Sequence, residues 1–121
     1  MTQRTEIITG GGRKRPATMR VVAHLEYPLP HIKGDVRFNS IMTACINGRW
    51  KAGYDVTTNS FGFGVGIYAN IQKTFDSEYA AVYDAIQTIR AQVAGESNDE
   101  NRNFALRLCN LAYDEINPKL F

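Results

Sequence analysis

The stretch Val36-Arg-Phe-Asn-Ser-Ile-Met-Thr-Ala-Cys-Ile46, Asn47-Gly48, Arg49-Trp-Lys-Ala-Gly-Tyr-Asp-Val-Thr-Thr58 decides how this chain is read. Two β-rich runs flank Asn-Gly, whose residues both tolerate the positive φ of a type I′ turn, the tightest connection between antiparallel strands. The second run alternates: Trp50, Ala52, Tyr54 and Val56 against Lys51, Gly53, Asp55 and Thr57. Asn59-Ser60 is expected to turn the chain again. A further strand then runs from Phe61 to Ala69, with Phe61, Phe63, Val65 and Ile67 opposite Gly62, Gly64 and Gly66. Upstream, Thr18–Tyr27 also has period two, with Met19, Val21, Ala23 and Leu25 on one side and Arg20, Val22, His24 and Glu26 on the other. Short connections make all these strands antiparallel.

From Ser77 the period becomes helical. Tyr79, Val82, Tyr83, Ile86, Ile89, Arg90 and Val93 form one stripe, with Asp76 as the expected N-cap and Gly95 as the stop. A second helix is expected over about 100–116, with Phe104, Leu108, Leu111 and Ile116 inward and Pro118 beyond it. The expected fold is therefore α+β: an antiparallel β-meander of about four strands, covered on one face by two C-terminal helices. Residues 1–17 are read as a flexible basic arm, in which Ile7-Ile8 leaves room for an edge strand, and 18–121 as a single domain.

The chain has 121 residues, 44% hydrophobic and 21% charged, so one packed domain is expected and wholesale disorder is not. No apolar run reaches the roughly 20 residues of a membrane helix. The first residues lack an apolar leader core, so a cytoplasmic location is the default expectation. Cys45 and Cys109 lie far apart without a Cys-x-x-Cys pair, which points to neither a disulfide framework nor a zinc site.

The net charge is only +2, but it is unevenly spread. Residues 1–37 carry seven basic against three acidic side chains, 38–75 three against one, and 76–121 four against eight. A basic front and an acidic back suit an anionic partner on one side.

Motifs for chemistry are absent or incomplete. The glycines of Phe61-Gly-Phe-Gly-Val-Gly66 alternate within a strand, whereas a dinucleotide loop must end a strand and open a helix. Their expected role is a bare stripe that lets a helix or partner backbone lie close. His24-x-Glu26 resembles half of a zinc deaminase motif, but the thiolate pair it needs is missing. Gly66-Ile-Tyr68 is followed by no second strand of the GIY-YIG type. The two cysteines read as small apolar packing residues. A non-enzymatic protein without metal or cofactor is thus expected.

What remains is binding. Arg13-Lys14-Arg15, Arg37 beside Phe38, and Arg49-Trp50-Lys51 with Tyr54 combine cations for phosphates with flat rings for bases. Because period two turns Trp50 and Tyr54 to one face and Lys51 to the other, charge at the arm and hairpin tip is expected to dominate over stacking. The function expected first is weak, sequence-tolerant nucleic-acid binding. The alternative is a protein-binding regulator or inhibitor, such as a phage or mobile-element protein acting on a host complex. A third reading is a small enzyme using His24, Glu26, Tyr54 and Asp55. A homo-oligomer is left open.

Overall fold

A computed structural model describes residues 3–10, 13–28, 36–67 and 73–117. Five strands, β1 (Gln3–Gly10), β2 (Arg13–Pro28), β3 (Val36–Ile46), β4 (Arg49–Thr57) and β5 (Gly62–Val65), form one antiparallel meander in chain order. Helices α1 (Glu78–Val93) and α2 (Asp99–Ile116) follow and cover one face. The α+β meander with two C-terminal helices is the expected fold. The additional strand comes from the segment read as an arm: residues 3–10 pair with 13–20, Gln3 opposite Arg20 and Gly10 opposite Arg13.

The β3–β4 turn is at Asn47 and Gly48, with φ of 53° and 78° as a type I′ turn requires. Trp50, Ala52, Tyr54 and Val56 share one face with Cys45, Thr43 and Ile41, the cross-strand partners of the first three, and look towards the helices. Alternation in β2 is interrupted. Val21 pairs with Met42 and Ala23 with Ile41, so Val22 is an extra residue, a β-bulge. Its consequence is a change of face. Before the bulge Arg20 is on the helix side and Met19 on the open side; after it Ala23, Leu25 and Tyr27 are on the helix side and His24 and Glu26 on the open side. A uniform alternation through 19–25 is therefore corrected.

The main core lies between sheet and helices: Val22, Ile41, Val56, Val82, Ile86 and Leu108 are all nearly inaccessible. Tyr79 and Leu111, expected in this core, are 41% and 45% exposed. Ala81, Val82, Ala85, Ile86, Ile89 and Val93 form the buried face of α1, and Tyr79 lies on its shoulder instead. There it stacks on Tyr83 at 6.0 Å and meets Tyr113 of α2 edge-on at 6.5 Å. Ser77, not Asp76, caps α1, its hydroxyl accepting from Ala80 N at 3.1 Å. Asn98 caps α2 in the same way. Asn101, buried in α2, donates to Asn59 at 2.8 Å and Ser60 at 2.6 Å and accepts from Tyr27 at 2.8 Å. This satisfies a buried amide and fixes α2 against the β4–β5 turn.

β5 stops at Val65, short of the expected Ala69. The chain then crosses the open face, where a Cβ on Gly53 would meet Ile67 N and Val65 O at 2.9 Å. Ile67 is thereby buried with Met19, Ala44 and Ile46, a second small core on the face away from the helices. The close crossing needs Gly53 rather than the glycine stripe. In that stripe only Gly64 is crowded, by the backbone of β4, while a Cβ on Gly66 would meet nothing within 4 Å. Beyond the crossing Phe75 returns to the sheet and exchanges two backbone hydrogen bonds with Trp50, both 2.8 Å.

Candidate nucleic-acid interface

Register decides which basic residues come together. Thr18 lies opposite Cys45, so the Arg13 end of β2 and the Asn47-Gly48 turn lie at the same end of the sheet. Arg13, Lys14 and Arg15 begin β2 at that end, paired with Gly10, Thr9 and Ile8. Counting residues from the Thr18–Cys45 pair at about 3.3 Å each, the β1–β2 hairpin projects roughly 10 Å past the β3–β4 tip. Arg49 and Lys51 open β4 at the same end, opposite Ile46 and Ala44. Arg37 does not join them. It is exposed at the other end of β3, opposite Tyr27, roughly 30 Å along the strand from Ile46.

The tip is not equally available at every side chain. Arg49 donates to Thr74 O at 3.1 Å and to Thr74 Oγ1 at 3.3 Å, and forms an ion pair with Asp76. The pairing is local, because Phe75 is tied to Trp50 between these residues. Asp76 is itself almost fully exposed, so the charge of Arg49 is held rather than buried. Lys51 is half-buried on the open face, the face opposite Trp50.

The two rings considered for stacking turn the other way. Tyr54 packs against the main core and meets Phe63 edge-on at 6.3 Å. Its hydroxyl is pushed up from the ordinary tyrosine value, first by burial and then by the charge of Asp84. It lines a cleft of about 280 Å³ between β4, Phe75 and α1, beside an ion pair of Lys73 and Asp84 at 3.8 Å. Trp50 is half-buried on the same helix-side face. The open face instead presents Phe38, 59% exposed and stacked on His24 with centroids 5.4 Å apart. No signal in the sequence marked Phe38 as exposed, because its phase, with Met42, Ala44 and Ile46, is more apolar than that of Arg37, Asn39 and Thr43. Tyr68 and His31 lie outside the described residues.

Among the described residues no group of three or more His, Cys, Asp or Glu side chains is placed to hold a metal ion. His24 and Glu26 are exposed on one side of β2, and His24 spends its ring on Phe38. Cys109 is buried in α2, and burial pushes its thiol up to about 11. No described helix is long and apolar enough to cross a membrane. Comparison of the chain with known protein families, with curated proteins and with solved structures finds no match.

Proposed function

We propose that this protein is a non-enzymatic, cytoplasmic binding protein that contacts nucleic acid through the basic residues at one end of its sheet. Arg13, Lys14, Arg15, Lys51 and Arg49 supply the charge, and Arg37 stands apart from them. The observation that supports the reading is the shared register of the two hairpins, which gathers positions 13–15 with 49–51. Acidic side chains of the C-terminal third lie mainly on the helices, and Asp76, Glu78 and Glu115, which are near the same end of the sheet, are paired with Arg49 and Arg20. Phosphate contacts without base readout give weak, sequence-tolerant binding, with dissociation constants of roughly 10⁻⁴–10⁻⁶ M at physiological salt. With Trp50 and Tyr54 turned inward, stacking contributes little to it.

Fluorescence anisotropy with labelled single-stranded DNA, duplex DNA and RNA, at 50 and 200 mM salt, tests the proposal. Affinity should fall steeply with salt. Replacing Arg13, Lys14 and Arg15 by alanine should flatten the slope on duplex DNA by about 0.9 for each phosphate no longer neutralised. Absence of binding at 50 mM salt would reject it. The second reading, a regulator that binds a host protein, is favoured by the exposed tyrosines Tyr79 and Tyr83 beside Tyr113, rings of the kind that anchor protein interfaces.

A further inference from the structure

β1 covers only part of β2. Its first residue, Gln3, lies opposite Arg20, and among the described residues no strand pairs with β2 beyond Arg20 on the side away from β3. From Ala23 to Pro28 the ladder with β3 is regular, so the outer side of this segment is a straight strand edge. An edge of unpaired amides and carbonyls is a template for another strand. Ala-His-Leu-Glu-Tyr, residues 23–27, contains neither a lysine nor a proline to block the edge.

We infer that this edge pairs with the same edge of a second copy of the chain, antiparallel, about a two-fold axis at Leu25. An isologous contact of this kind requires the segment to be complementary to itself. With Leu25 on the axis, Ala23 faces Tyr27 of the second copy and His24 faces Glu26. Directly opposed residues in an antiparallel pair share a face, with Cβ atoms about 4.5–5.5 Å apart. His24 and Glu26 are both exposed on the open face, so each copy sets an imidazole against a carboxylate twice across the axis. The paired length, 23–27, stops short of the bulge at Val22 on one side and of Pro28, which has no N–H to give, on the other.

The helix layer carries an independent sign of the same contact. Residues two apart on a helix point about 200° apart. Tyr113 of α2 meets Tyr79 of α1, so Leu111 lies on the flank of α2 away from α1. That flank overhangs the outer side of β2, to which α2 is fixed by Tyr27–Asn101 at one end and Arg20–Glu115 at the other. Leu111 is 45% exposed there, an apolar side chain only partly covered in the single chain. A second copy joined along β2 brings its own α2 beside it.

Sedimentation equilibrium on nuclease-treated protein, over a concentration series, tests the contact. The wild type should be a reversible dimer. His24→Glu sets carboxylate against carboxylate at two symmetric places and should raise the dimer dissociation constant about tenfold. Adding Glu26→Lys to that variant restores opposite charges across the axis and should restore the dimer. Both side chains are exposed, and circular dichroism checks that each variant is folded. Should His24→Glu unfold the chain, Leu111→Glu should weaken the dimer by itself. A wild type that stays monomeric to about 0.5 mM, far above the concentrations at which specific dimers form, overturns the inference. So does a dimer that ignores His24→Glu, or one that the double substitution fails to restore.

Discussion

Arg20 of β2 and Glu78 of α1 are joined by two parallel hydrogen bonds, Nε to Oε2 at 2.7 Å and Nη2 to Oε1 at 2.6 Å. Thr43 of β3 donates to the same carboxylate at 2.8 Å, and Arg20 also reaches Glu115 of α2 at 3.2 Å. Glu78 thus ties the start of α1 to β2 and β3, and Arg20 carries the link on to α2. Bidentate geometry and partial burial set this pair apart from surface ion pairs.

Glu78→Gln should therefore cost about 1–3 kcal/mol at pH 7, by leaving Arg20 and Thr43 with an inferior partner. Chemical denaturation checks the size of the loss.

The same carboxylate gives stability a pH dependence. Burial pushes Glu78 up, but hydrogen bonds from Arg20 and Thr43, together with the Arg20 charge, outweigh it and hold the group below its ordinary 4.5. A carboxyl lowered on folding adds stability above its unfolded value, and that stability is lost as pH falls through the folded value. Melting temperature should thus drop between neutral pH and pH below 4.5, and drop less in Glu78→Gln.

Ile86, 1% exposed at the centre of α1, should cost about 2–5 kcal/mol when replaced by alanine, through reduced burial and the cavity left behind. Gln87, the exposed neighbour, should change stability by less than about 0.5 kcal/mol on the same replacement. Equal losses at the two positions would contradict the packing described.

Gly53→Ala and Gly66→Ala separate two kinds of glycine. A Cβ at 53 meets two backbone atoms at 2.9 Å, which no rotamer change relieves, whereas one at 66 has free space. The first should cost about 1–3 kcal/mol as overpacking, and the second should be close to neutral. Thermal melts of the two variants side by side decide it.

Asp76→Asn tests the state of the hairpin tip. It releases Arg49 from its ion pair without touching the β4 ladder. An exposed pair is worth about 0.2–1 kcal/mol, so binding to anionic polymers should tighten by up to about fivefold, and Arg49→Ala should cancel the gain. An unchanged affinity would take Arg49 out of the proposed interface.

Much of this fold was legible because its signals are local. Asn47-Gly48 specifies a hairpin without help from the rest of the chain, and the 3.6 period of Val82, Ile86 and Ile89 specifies which side of α1 is inside. Features that depend on distant partners were not legible. The bulge at Val22 leaves no mark in a run where every second residue from Met19 to Leu25 is apolar. Nothing in Ile67 says that the chain will leave β5 and fold back across Gly53. Tyr79 and Leu111 fit their helical stripes, yet both lie at the margin of the buried faces of their helices and are left outside. Of the basic residues, the sequence named the candidates; only the strand register separated Arg37 from the other five.

Strand β2 also ties the molecule together in a way that bears on how it comes apart. Met19 belongs to the small cluster on the open face, while Val22 and Ala23, three and four residues later, belong to the large one under the helices. A single strand is thus stitched through both sides of the sheet, and neither side can be peeled away while the other stays intact. Cooperative opening is the expected result, with amides of 18–23 exchanging only through the global event while the flanking hairpin ends exchange through fraying. Alternation along β2 joins two layers into one unfolding unit, and the inserted valine sets which of its residues each layer receives.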